Sequence, residues 1–148
     1  MPHAAVVLLA FPCCLGSAFS RYYYILERLS QAQSYVLLIN MNETAMVEDL
    51  FGALLGAVSE DHSSKVLSHM VSVLAGCLNM ADTVEQGLLD RLLSPLVEPQ
   101  ASTHPAARRL AGEVIVTSGD KIKPQLTHFL QVRPPFFGLA WEIHLVIC

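Results

Sequence analysis

Apolar positions along the middle of the chain recur with helical spacing from one polar turn to the next. Tyr22, Ile25, Leu26 and Leu29 lie on one stripe and predict a helix from Arg21 to Gln31. Ser34 to Ile39 is a short apolar stretch that periodicity alone leaves open between a helical turn and a strand. Asn42 reads as an N-cap, with Glu43 in the first turn where it complements the helix dipole. Met46, Val47, Leu50, Phe51, Leu54, Leu55 and Val58 then form a broad apolar face. Burying one such side chain is worth about 1.5–3 kcal/mol, so this face requires a neighbour. Gly52 and Gly56 each cost about 1 kcal/mol in helix propensity, which close approach of another helix would offset.

The turn Glu60-Asp61-His62-Ser63 carries capping chemistry. After it, Val66, Leu67, Met70, Val71, Leu74, Cys77 and Leu78 predict a buried face on a helix from Ser64 to Leu78. Asp82 with Glu85 three residues on resembles a capping box ahead of Leu88, Leu89, Leu92, Leu93, Leu96 and Val97. A proline in mid-helix costs about 3 kcal/mol, so Pro95 predicts a stop or kink near Ser94. Thr103 as cap and Pro105 in the first turn open a helix carrying Leu110, Ala111, Val114 and Ile115. Gly119-Asp120 breaks it, and Lys121 to Val132 form a last helix with Ile122, Leu126, Phe129 and Leu130 inward.

The spacing of these elements sets the fold class. Leu54-Leu55 and Leu92-Leu93 occupy matching places 38 residues apart, and Met70-Val71 and Leu110-Ala111 match at 40. A helix-turn-helix unit recurring near 40 residues is the HEAT and armadillo period. The expected fold is all-α, a HEAT/armadillo-like helical repeat over residues 20–132. An irregular helical bundle would satisfy the same faces.

Composition sharpens the picture. Of 148 residues, 53% are hydrophobic and 15% charged, against about 25% charged in ordinary soluble domains. Some apolar surface is therefore expected to be covered by something else, or part of the chain lies outside the fold. Residues 1–19 and 133–148 are the expected atypical segments. Ala4 to Phe11 with Gly16-Ser17-Ala18 has the outline of a secretory signal peptide. Met1-Pro2-His3 supplies no base before that run, and Pro12-Cys13-Cys14 interrupts it. The run is also far short of the roughly 20 residues that span a bilayer, so no membrane association is expected. Pro134-Pro135 ends the last helix, and the apolar residues after it lack a clear period. The net charge of −4 supplies no basic footprint, so direct nucleic-acid binding is not expected.

No motif for catalysis, cofactor binding or metal ligation emerges. Cys13, Cys14, Cys77 and Cys148 lack zinc-ligand spacing and are expected to be reduced thiols. His62 and His69 are seven apart, where a helical metal pair would more usually be four apart, and they lack a third ligand. Glu48-Asp49 and Glu60-Asp61 read as solvated faces or caps. Ser63-Ser64 has no nucleophile elbow, and Gly52 and Gly56 form no phosphate loop. Tyr22-Tyr23-Tyr24 reads as helix packing with hydroxyls at the rim. Arg108-Arg109 is too short for a basic patch.

Several stretches together resemble one family. Arg21-Tyr22-Tyr23-Tyr24-Ile25-Leu26-Glu27, then Lys65-Val66 with His69-Met70-Val71, are similar to helices of the Pds family of cohesion proteins, named for precocious dissociation of sisters. Asp82-Thr83-Val84, Gln86, Leu88-Leu89-Asp90, Leu92 and Leu96-Val97 match most closely, and Ile122, Pro124, Phe129 and Gln131-Val132 continue in register. Asp82, Gln86 and Asp90 are polar positions that helical periodicity does not dictate.

The resemblance implies a nuclear, chromatin-associated HEAT-repeat regulator of cohesin. Its expected partners are the kleisin subunit and the cohesin release and protection factors, and it uses no catalytic residue. Family members are many times longer. The short alanine-proline motif that docks release and protection factors is not found in Met1 to Phe19, and the kleisin contacts are expected largely past Val132. No binding residue is therefore carried over. The expected function is a non-catalytic scaffold fragment acting in sister chromatid cohesion. Two other readings stay open, a small secreted helical protein with a signal peptide at about residues 1–18 and a HEAT-type adaptor unrelated to cohesin. A solenoid without its neighbouring repeats exposes the faces they cover, so the isolated fragment is expected to be marginally stable or to self-associate.

Overall fold

Ser63 shows how local chemistry starts an element here. Its backbone is extended, and its hydroxyl accepts from the Val66 amide at 3.4 Å, which opens the helix Ser64–Met80. The computed structural model describes residues 16–97 and 104–132. Over these the chain forms seven helices. They are α1 (Gly16–Ala32), α2 (Tyr35–Asn40), α3 (Thr44–Ala57), α4 (Ser64–Met80), α5 (Gln86–Val97), α6 (Pro105–Thr117) and α7 (Gly119–Val132). No strand occurs among the described residues, and the ambiguous stretch after Ser34 is the helix α2.

The packing is that of stacked helix pairs. Helix α3 packs on α5, and α4 packs on α6, so equivalent helices of two successive pairs lie side by side. Helix α1 extends the α4–α6 layer on its other side, α2 fits between α3 and α4, and α7 packs on α4 and α6. Two contacts fix the α3–α5 register. The Glu48 carboxylate lies against Gly87, and the Arg91 guanidinium lies against Gly52. Both pairs are roughly forty residues apart, so the two helices run parallel at the period of the repeat. One continuous core joins all seven helices, from Leu26 through Phe51, Leu54, Met70, Leu74, Leu92 and Leu110 to Phe129.

Several boundaries differ from the sequence expectation. Asn42 does not cap α3. It sits in the left-handed region at φ 58° and ends α2 instead. Its amide donates to the Ile39 carbonyl at 3.0 Å and the Glu43 amide to the Leu38 carbonyl at 2.9 Å, the two bonds of a Schellman stop. Asparagine tolerates that conformation better than other side-chain-bearing residues, so the same amide chemistry serves a helix end as readily as a helix start. Asp82 does not box α5 either, since that helix begins at Gln86 with the Leu89 amide bonded to the Glu85 carbonyl. The β-branched pair Thr83-Val84 disfavours a helical first turn, and Val84 is tucked into the core.

Pro95 does not stop the helix at Ser94, because α5 runs on to Val97. Among the described residues two helical positions follow the proline, its side chain is buried, and its carbonyl accepts from Arg108 Nη1 at 3.1 Å. His104, with Pro105 at the first helical position, occupies the cap of α6, and Thr103 lies outside the described residues. The α6–α7 break is the single residue Ser118, with Gly119 and Asp120 already in the first turn of α7. Val71 and Val97, expected inside, are only partly buried. Helix α1 begins at Gly16, so the small residues Gly16-Ser17-Ala18 fall in its first turn. The rest of the expected 1–19 segment and the 133–148 tail lie outside the described residues.

Candidate functional site

A cleft of about 200 Å³ opens where the starts of α3 and α5 lie side by side. Its floor is apolar, with Val47 from α3, Cys77 from α4 and Leu88 from α5, all buried. Its rim is polar, with Asn42 and Glu43 before α3 and Asp82, Thr83 and Glu85 before α5, all exposed. The Schellman stop of α2 holds the first half of that rim, and the extended α4–α5 linker holds the second. Lys121 Nζ secures the linker from α7 by donating to the Asp82 carbonyl at 3.4 Å.

The chemistry available in the cleft is limited. Burial pushes the Cys77 thiol up to about 12, so it is not a nucleophile at neutral pH. Tyr35, the nearest buried phenol on α2, is also raised above its ordinary value by burial and further by Cys77, against a hydrogen bond from Gln33. Glu43, Asp82 and Glu85 place three carboxylates on the rim.

The sequence candidates are placed elsewhere and kept apart. His62 lies in the turn before α4, not on the helix that carries His69, so the two do not share a face. Its Nδ1 accepts from the Ser59 amide at 3.1 Å. Burial lowers its pKa below 6.5, and neighbouring Asp61 opposes that shift. His69 meets the Tyr23 ring edge-on at 5.7 Å. Tyr24 is exposed and carries the Arg28 guanidinium 5.1 Å from its ring centroid. Arg108 reaches the Pro95 carbonyl, and Arg109 pairs with Glu113 at 3.1 Å on an exposed helical turn. Among the described residues no three His, Cys, Asp or Glu side chains gather in a way that holds a metal ion. Among them, too, no helix is long and apolar enough to cross a membrane.

The sequence hides the cleft for a specific reason. Asn42-Glu43 and Asp82 to Glu85 read along the chain as two helix starts, each local to its own helix. They are equivalent turns of successive pairs, and stacking brings them together.

Paired helices stacked in parallel at a period near forty residues define an α-solenoid of the HEAT type. The comparison with known families agrees in extent, because the model described as "Sister chromatid cohesion protein PDS5 protein" matches residues 15–132. The chain belongs to the PDS5 family of sister chromatid cohesion proteins. It is 30% identical over 112 residues to the sister chromatid cohesion protein PDS5 homolog B of Homo sapiens, covering 75% of this chain and 8% of that protein. Against PDS5 homolog A of Arabidopsis thaliana the identity is 30% over 115 residues, 78% of this chain and 7% of the relative. Against PDS5 homolog A of Gallus gallus it is 28% over 112 residues, 75% and 8%. The chain thus spans less than a tenth of the length of these relatives.

Proposed function

We propose that this chain is a scaffold segment of a cohesin regulator, acting in sister chromatid cohesion in the nucleus and on chromatin. The observation that carries this reading is the family match across residues 15–132, which coincides with the described helical stack. The segment 20–132 holds the helical repeats, and its work is to present surface. Each pair contacts only its neighbours, so the stack offers a long rigid face on which partner segments lie. The buried Cys77 thiol, dispersed histidines and solvated carboxylates support a non-catalytic role.

The partners that fit the family are cohesin itself, with the kleisin as its connecting subunit, and the factors that release or protect the ring. The test is co-precipitation from a chromatin fraction with the native product that contains this segment. Recovery of cohesin subunits is the expected result. Their absence, with the product present and folded, overturns the reading in favour of a HEAT adaptor outside cohesion.

A further inference from the structure

The cleft at the starts of α3 and α5 sets a rim of carboxylates, Glu43, Asp82 and Glu85, over an apolar floor of Val47, Cys77 and Leu88. Among the described residues no basic side chain lines it, and the neighbouring Lys121 amine is engaged at the Asp82 carbonyl.

We propose that this cleft docks an extended basic segment of a partner protein, with arginine or lysine on the carboxylate rim and an apolar side chain over the floor of Val47 and Leu88. The proposal rests on the scaffold reading and adds a surface and a ligand chemistry to it. Charge complementarity selects the occupant. The chain's own remaining segments do not fit, because residues 1–15, 98–103 and 133–148 contain a single arginine, Arg133, and no lysine.

The test uses the 148-residue chain and fluorescence anisotropy with three labelled nonapeptides. One alternates arginine and leucine, one has glutamate in place of each arginine, and one has serine in place of each leucine. The first is expected to bind and the other two to bind at least tenfold more weakly. Glu43→Lys with Glu85→Lys is expected to weaken the first peptide at least tenfold. Glu60→Lys with Asp61→Lys makes the same charge change at the far end of α3, about 20 Å away by helix length, and is expected to leave binding within twofold. Should the lysine pair at the cleft unfold the chain, Glu43→Gln with Glu85→Gln replaces it, with the same direction expected. Equal weakening by the two charge reversals, equal binding of the leucine and serine peptides, or no binding by the unaltered chain overturns the proposal. Any of these with cohesin still co-precipitating removes the cleft alone, whereas loss of cohesin association removes the scaffold reading.

Discussion

Replacing Gly76 by alanine sets helix propensity against packing, and the structure says which wins. Gly76 lies inside α4, where alanine is ordinarily favoured by about 1 kcal/mol. Across from it, Tyr35 of α2 lays its ring and hydroxyl directly over the glycine, so a Cβ there meets Oη and Cζ and lies 2.9 Å from Cε2. The ring has little room to retreat, being 4% exposed, with its hydroxyl held by the Gln33 side chain. Overpacking of this kind costs about 1–3 kcal/mol. Expelling the ring instead forfeits roughly 1.5–3 kcal/mol of apolar burial. Either route exceeds the propensity gain, so Gly76→Ala is expected to destabilise by about 1–2 kcal/mol net.

Gly56 is the matched control, in helix α3 with nothing within 4 Å of its would-be Cβ. Gly56→Ala is expected to stabilise by about 0.5–1 kcal/mol. Thermal and urea melts followed by circular dichroism at 222 nm separate the two variants, at about 4 °C per kcal/mol for a chain of this size. In a Tyr35→Leu background Gly76→Ala should lose most of its penalty, as coupled neighbours do. If Gly76→Ala melts at or above the unaltered chain, or both glycine variants shift in the same direction, the close approach of α2 to α4 is wrong.

Asn42→Gly should leave stability within about 0.5 kcal/mol, and Asn42→Val should cost about 1–2 kcal/mol in the same melts, because a β-branched residue resists the left-handed stop of α2. Cys77, buried with its thiol pushed up to about 12, should resist iodoacetamide in the native chain at pH 8 and label fully in denaturant, as read by peptide mass mapping. His62 has a folded pKa below its unfolded value of 6.5, so between the two the unfolded chain binds more protons. Its contribution to stability is therefore unchanging above 6.5 and is lost progressively as pH falls below it. His62→Asn, which keeps an acceptor for the Ser59 amide, should flatten that part of a urea-midpoint-against-pH curve.

The helical stripes were legible because burial and period coincide. Leu50, Phe51, Leu54, Val66, Leu67, Met70, Leu88, Leu92 and Leu110 were read as inward and are buried. The repeat was legible for the same reason, from matched pairs near forty residues apart. Boundaries were harder, because Asn, Asp and Ser offer the same hydrogen bonds at a helix start, a helix stop and an extended linker. Asn42 and Asp82 illustrate the ambiguity, and only tertiary packing of Ile39 and Val84 decides it. Gly52 and Gly76 were equally undecidable. One makes room for Arg91 and the other, which periodicity did not single out, for Tyr35.

The cleft lay beyond sequence reading because it belongs to no single helix. A parallel stack places the turn before each first helix beside the turn before the next. Side chains that are solvated caps in one pair thereby become one wall of a groove with the next pair. Glu43 and Glu85 are unremarkable apart and form an anionic rim together. The same logic governs what such a chain can do. Its core residues are committed to neighbours through helices α3 to α6, which leaves the turns as the positions free to vary in charge and shape without disturbing the stack. On the docking proposal, specificity at this cleft is set by the charges of its two turns. A charge reversal in one turn should alter which segment binds there while the melting curve stays in place.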